Sequence, residues 1–358
     1  MLFTVIVFLA VLLVLVLVHE WGHFIVARLH GMKVEEFGFG FPPRIGGILR
    51  RGTLYSLNWL PLGGFVRIKG ENGDTVDPDS FAGQKPWRRA TVLLAGVGMN
   101  VALAWVLFTT LLAIGVPTEI TGGIAPGARV SNEELRIMGL YASGPAVQAG
   151  LLIDDVVLSV NGTPIKDAED LRAIAKLGSP VTFEILRDDE KKSFTVEPRV
   201  LEVGGQALTG LQLAHLATVR FPLHRALVEG AKQTWFAIQE IFKAFAHLFS
   251  ELATSGKLSA DVAGPVGIAV ITGDVARQGW AHILQFGAFL SLNLAILNIV
   301  PFPALDGGRL LFVIIEKLKG KPVRARTEAL IHQIGFITLL LFVVLVTYRD
   351  IVRLGGGG

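Results

Sequence analysis

The sequence predicts a polytopic α-helical membrane protein with four transmembrane helices and one module outside the lipid. Three observations carry that prediction. Of the 358 residues, 51% are hydrophobic and only 18% are charged, which excludes an ordinary soluble enzyme. Mean hydropathy is +0.55, and the apolar residues gather in four runs long enough to cross a bilayer. The basic residues sit mostly beside those runs, so the net charge of +3 reflects membrane topology and gives no argument for a nucleic-acid partner. Cysteine is absent, so disulfide frameworks, thiolate nucleophiles and Cys-ligated metals are excluded and any metal must be held by imidazole and carboxylate.

The first run, Leu2 to Ala27, is apolar except for Thr4 and the cluster His19, Glu20, Gly22 and His23. Its first basic residue is Arg28, so it lacks the basic start and short core of a cleavable signal and reads as a signal anchor. A helix of that length spans roughly 39 Å against a hydrocarbon core of about 30 Å, which places the polar cluster inside the membrane. The second run fits Thr91 to Val116, the third Ile283 to Ile315 with a break, and the fourth Ile331 to Thr347. Trp235, Ile238, Phe242, Phe245, Phe249 and Leu252 recur every three or four residues between Lys232, Gln239, Glu240, Lys243 and His247, the pattern of an amphipathic helix. A fifth span there would leave charges in lipid, so it reads as an interfacial helix on the outer face.

Arg28 to Arg89 carries ten Lys/Arg against six Asp/Glu, and Glu316 to Glu328 five against two, whereas Pro117 to Ala281 carries fifteen against nineteen. The positive-inside rule puts the two basic loops in the cytoplasm and the middle region outside. In that region Tyr141-Ala-Ser-Gly-Pro-Ala-Val-Gln-Ala-Gly-Leu-Leu leads into Asp154-Asp-Val-Val-Leu-Ser-Val-Asn-Gly, where Val156, Leu158 and Val160 alternate and Asn161-Gly162 marks a tight turn. A helix over Asp170 to Leu177 and strands over Val181 to Leu186 and Ser193 to Val196 follow. The segment resembles a bacterial PDZ domain. The resemblance implies either capture of a peptide or substrate ectodomain by strand addition or steric filtering of access.

The chemistry lies in His19-Glu20-Trp21-Gly22-His23, the HExxH pattern. Positions four apart are about 40° apart on a helix, so both imidazoles can meet one Zn²⁺ with Glu20 beside them as general base. Ionisable groups within an apolar span are costly unless they share a purpose. Zinc needs a further protein ligand. The other histidines, His30, His215, His224, His247, His282 and His332, fall in loops, the interfacial helix or span ends. Asp306 is the stronger candidate: it sits in Asn298-Ile-Val-Pro-Phe-Pro-Ala-Leu-Asp-Gly-Gly-Arg, where two prolines break the third run. A helix N-cap is the competing role for it. The depths agree, since Glu20 lies about 12 Å before Arg28 and Asp306 about 16 Å before Lys317.

HExxH in the first span, Asn-x-x-Pro-x-Pro-x-Leu-Asp-Gly-Gly in the third and a PDZ module between them resemble the site-2 protease family of intramembrane zinc metalloproteases, in its bacterial branch related to the regulator of sigma-E protease. The likeness covers nearly the whole chain. It implies zinc on His19, His23 and Asp306, water activation by Glu20, and Asn298 positioning the substrate backbone or the oxyanion. It also implies a multi-pass protein of the bacterial inner membrane, acting on single-pass membrane proteins such as anti-sigma factors or remnant signal peptides. The family pattern makes Phe37-Gly-Phe-Gly-Phe and Leu54 to Lys69 a membrane re-entrant β region, in which Gly63, Gly64, Phe65 and Val66 form the edge that holds an unwound substrate. Two features depart from the pattern: only one PDZ domain fits, and Val97 replaces the usual Pro of Gly96-Val-Gly-Met-Asn100, which leaves a structural role for Asn100. The expected division is 1–116, 117–214 for the PDZ domain and flanks, 215–281 for the interfacial helix and linker, and 282–358. The alternative, a catalytically inactive PDZ-bearing scaffold, is opposed by the intact HExxH and Asp306. A metal transporter would repeat its binding helix in two halves, and the sequence holds no second HExxH-like segment.

Overall fold

A computed structural model describes the chain except residues 1, 72, 74, 120–126, 142–143, 166–167, 175–178, 188–189, 201–206, 256–262, 322 and 356–358. It divides into two compact units, Met1–Leu111 with Leu227–Gly358, and Leu112–Ala226.

The first unit begins with α1 (Leu2–Leu29), followed by strands β1 (Val34–Arg50) and β2 (Thr53–Ile68) and helix α2 (Pro86–Ile114). Residues at the start of β1 have partners on both sides: Phe37 lies opposite Val66 and beside Tyr55, and Phe39 opposite Gly64 and beside Leu57. The end of β1 folds back on β2, with Gly47 opposite Ser56 and Arg50 opposite Thr53. The glycines and prolines bend the two long strands so that each pairs twice. The 64–68 segment is left outermost.

The second unit holds β3 (Val116–Glu119), β4 (Arg129–Leu140), α3 (Pro145–Gln148), β5 (Val156–Val160), α4 (Ala168–Ile174), β6 (Val181–Arg187), β7 (Glu190–Val196), β8 (Arg199–Val200), β9 (Ala207–Leu208) and β10 (Leu211–Arg220). Its six-stranded sheet runs β3-β10-β4-β5-β6-β7. The expected turn at Asn161-Gly162 is present, with φ of 51° and 75°, the left-handed pair that Asn and Gly tolerate. Ile137, Leu151, Phe183 and Ile185 are fully buried at the centre. Buried Asp155 takes both ends of the Arg187 guanidinium at 2.6 Å and the Leu152 N–H at 2.8 Å. The sequence pattern does not predict strands β3, β4 and β10; they are fixed by pairing across the sheet, β10 lying between β3 and β4. Since β10 crosses the boundary expected at 214, the sheet unit extends to Ala226. Ala142-Ser143, the expected helix end at Leu177 and the turn at 188–189 lie outside the described residues.

The chain then continues through α5 (Leu223–Ser255), α6 (Pro265–Arg277), α7 (Trp280–Ile299), α8 (Asp306–Lys319) and α9 (Ala325–Gly355). Among the described residues four helices are long and apolar enough to cross a membrane: Leu2–Leu29, Pro86–Ile114, Trp280–Ile299 and Arg326–Leu354. The first and last show mostly outward-facing residues, while the middle two are more buried, as expected when α2 and α7 pack at the centre. The third predicted run is two helices, broken at 300–305 by Pro301 and Pro303 as the sequence required. His332 of α9 accepts the Ala304 N–H at 2.9 Å, so this histidine supports the break and is not a surface residue. The sequence reading missed α6. Its N-terminus is satisfied by buried Asp350, which accepts N–H groups of Gly264 and Gly267 at 3.2 and 2.7 Å, and α9 therefore runs beyond Thr347.

Candidate active site

Helix α1 brings His19 and His23 onto one face because they are one turn apart. Both Nε2 atoms converge on Asp306 Oδ2, at 3.0 Å from His19 and 3.2 Å from His23, and lie 3.1 Å from each other. Three donors on a tetrahedral ion with bonds of 2.0–2.2 Å would be separated by about 3.3–3.6 Å. Two imidazoles and a carboxylate at this spacing fit zinc with little adjustment, and they leave a fourth position for water or substrate.

Asp306 does not cap its helix: Leu305 is the N-cap residue, and no side chain caps that end. The carboxylate turns to the histidines instead. The two glycines after it permit that geometry, since a Cβ at Gly308 would lie 2.9 Å from the Phe302 carbonyl carbon and one at Gly307 would meet Ile299 as closely. The Asp-Gly-Gly sequence therefore lets α8 start directly beneath the 300–305 segment.

Helix α2 forms the back wall. A Cβ at Gly96 would lie 2.7 Å from Cε1 of both His19 and His23, and one at Gly22 would lie 2.7 Å from the Ala95 carbonyl carbon. Glycine at these two positions lets the helices approach until the imidazoles rest on α2 backbone. His23 Nδ1–H donates to Val92 O at 2.8 Å, which leaves the Nε2 lone pair free on the side of His19 and Asp306.

Glu20 lies beside the two histidines on α1, where its carboxylate accepts the Val66 N–H at 3.0 Å. It lines a cavity of about 210 Å³ together with His23, Phe65, Val66, Asp306 and Arg309. Phe65 and Val66 thus face the cavity. Gly63 and Gly64 are buried against α1: Gly63 has φ +143°, and a Cβ at Gly64 would lie 2.8 Å from Leu17 Cδ2 and Gly38 O. Asn298 lies at the end of α7 with its amide nitrogen 3.4 Å from His19 Nε2. His19, Glu20, His23, Asp306 and Asn298 thus lie together, and Gly63 to Val66 lie in the strand beside them.

A model of Peptidase family M50 matches residues 7–342. The chain belongs to peptidase family M50. A Clostridium perfringens protein is 35% identical over 342 residues, covering 94% of this M50 chain and 95% of the relative. The zinc metalloprotease RasP of Oceanobacillus iheyensis is 30% identical over 439 residues, with 98% and 99% covered. The PDZ domain of an SdrC-like protein of Listeria monocytogenes matches 24% of the chain and 92% of its own length, at 17% identity and a TM-score of 0.22.

Motif reading of this M50 peptidase missed two groups that border the cavity. Arg309 of α8 pairs with Glu71, just after β2, and both line the cavity. Arg309 follows the Asp-Gly-Gly directly, but its partner is 238 residues away in sequence, and no local pattern could pair them. The Val92 carbonyl is likewise invisible to side-chain motifs, although the spacing of 92, 96 and 100 on one helical face was available.

Proposed function

We propose that this peptidase is a zinc metalloprotease that hydrolyses peptide bonds within or near the transmembrane segments of single-pass membrane proteins. The observation that carries the proposal is the convergence of His19 and His23, with Glu20 alongside, on a helix apolar enough to cross a membrane, with Asp306 at the start of α8. Ionisable side chains are expensive in such a setting and mark function.

His19, His23 and Asp306 hold the ion. When bound, zinc polarises the scissile carbonyl and draws the pKa of its water towards about 7. Glu20 removes the proton from the attacking water and delivers it to the leaving amine nitrogen, one group serving as base and then acid. The Val66 N–H restrains the Glu20 carboxylate beside the outermost strand segment, where an unwound substrate segment adds to the sheet edge at Phe65 and Val66, just after Gly63 and Gly64. Asn298, on the ligand side, positions the substrate backbone or the oxyanion. Strand addition reads backbone and not sequence, which suits substrates alike only in being helical.

The charge asymmetry favours an inner-membrane protein with the cluster towards the cytoplasm and the sheet unit, as a PDZ domain, outside. There the PDZ domain receives a substrate ectodomain or excludes a bulky one. Helix α5 exposes Trp235, Phe236 and Phe242, which supports an interfacial placement.

The test is Glu20→Gln in full-length protein with a single-pass substrate in detergent. Zinc content should stay at the wild-type level while cleavage falls by about 10²–10⁴-fold or more. A variant that still cuts at the wild-type rate overturns the assignment.

A further inference from the structure

Val92, Gly96 and Asn100 are spaced four apart and so lie on one face of α2, drifting about 40° at each step. The first supplies a carbonyl to His23 Nδ1 and the second admits both rings. The third is completely buried, and its side-chain amide lies 3.3 Å from His19 Nδ1. Its backbone carbonyl accepts the Ser291 hydroxyl at 2.8 Å, which ties α7 to α2 at the same level.

His19 directs Nε2 towards Asp306 and His23. A neutral imidazole that gives its Nε2 lone pair to a metal carries its one proton on Nδ1. That proton needs an acceptor, and a buried N–H left without one costs roughly 1–3 kcal/mol. With the amide nitrogen turned towards the ring, two donors would face each other, and Asn100 Oδ1 has no partner among the described residues. A half-turn of the amide, which exchanges two atoms of nearly equal size, brings Oδ1 onto Nδ1–H. The arrangement then repeats what Val92 O does for His23.

We propose that Asn100 is a positioning residue that accepts the His19 Nδ1–H and so holds His19 in the tautomer whose Nε2 is free for zinc. The role rests on His19 being a zinc ligand, as argued above. It belongs to the carbonyl oxygen, so it is indifferent to Val97 standing one residue after Gly96. Groups that orient a ligating histidine in this way typically change metal affinity by 10–100-fold.

The test compares zinc affinity of metal-stripped full-length protein by competition with a chromophoric chelator, with no cleavage measured. Asn100→Leu keeps the size and loses the acceptor, and should bind zinc about 10–100-fold more weakly. Asn100→Asp keeps the acceptor and loses the donor, and should bind within a few-fold of wild type. Equal affinity in wild type and Asn100→Leu would overturn the proposal. So would an Asn100→Asp variant as weak as Asn100→Leu, because the donor or mere packing would then be what matters. If Asn100→Leu does not fold, Asn100→Asp against wild type still decides between acceptor and donor. His19→Ala serves as the control: undiminished zinc binding by that variant would fault the ligand assignment itself and not the part given to Asn100.

Discussion

Between Leu112 and Ala226 the fully buried side chains include Ile137, Leu151, Phe183 and Ile185. In the helical unit the buried set includes His19, His23, Asn100 and Ser291, while Phe3, Phe336 and Leu341 stand exposed. The helical unit keeps an apolar cluster of its own around Val34, Ile68, Val92 and Leu93; what sets it apart is the histidine pair buried near that cluster and the long apolar helices that show large side chains outward. Water drives apolar side chains inward in the sheet unit, so its core contributes stability and little else. Lipid gives no such drive between helices, and polar side chains buried at the helical centre donate to neighbouring backbone carbonyls, His23 to Val92 and Ser291 to Asn100. Damage should therefore cost function in one unit and folding in the other.

The largest expected effect comes from breaking the polar centre. His19→Ala, His23→Ala or Asp306→Ala should each lose stoichiometric zinc, measured by atomic emission on purified protein, and cleavage should fall below detection. The thermal unfolding of the sheet unit should not move. In the opposite direction, Phe183→Ala should destabilise the sheet unit by about 3–5 kcal/mol in denaturant titration, with zinc stoichiometry unchanged. If zinc were lost together with the sheet core, the separation between the two kinds of interior would fail.

The smallest effect lies at the surface of the helical unit. Lys69 is held by Asp77 at 2.6 Å and Asp79 at 2.7 Å. Hydrogen bonds to the two carboxylates hold the ammonium above the usual lysine range, and Lys69 in turn holds Asp79 below the usual carboxylate range. The Asp79 contribution is full above about pH 4 and fades as pH falls through its lowered value; the Lys69 contribution is full below about pH 10 and fades as pH rises through its raised one. The difference in melting temperature between wild type and Asp79→Asn should accordingly be slight, level across neutral pH, and vanish in acid.

The same difference explains what could be read from the chain. The four spans and the break in the third announced themselves because lipid demands long apolar runs and Pro301 and Pro303 interrupt one of them. The cluster was legible because His19, Glu20, His23 and Asp306 are ionisable residues in places where such residues are rare. What escaped was set by contacts distant in sequence. Strands β3, β4 and β10 owe their existence to partners across the sheet, α6 to Asp350 more than seventy residues after its end, and the Arg309–Glu71 pair to the return of α8 towards β2. Asn100 was visible as part of a glycine-containing motif, but its nearness to His19 needed the crossing of α1 and α2 at Gly22 and Gly96.

The central claim is that one zinc ion sits on two imidazoles and one carboxylate within the helical unit. X-ray absorption at the zinc edge of the full-length Glu20→Gln protein measures this most directly. The expected signal is two imidazole ligands with oxygen donors completing a four-coordinate shell at about 2.0–2.2 Å, and one imidazole fewer when His23→Ala is added and zinc is supplied in excess. A shell without two imidazoles, or a spectrum that the His23 substitution leaves unchanged, would contradict the account.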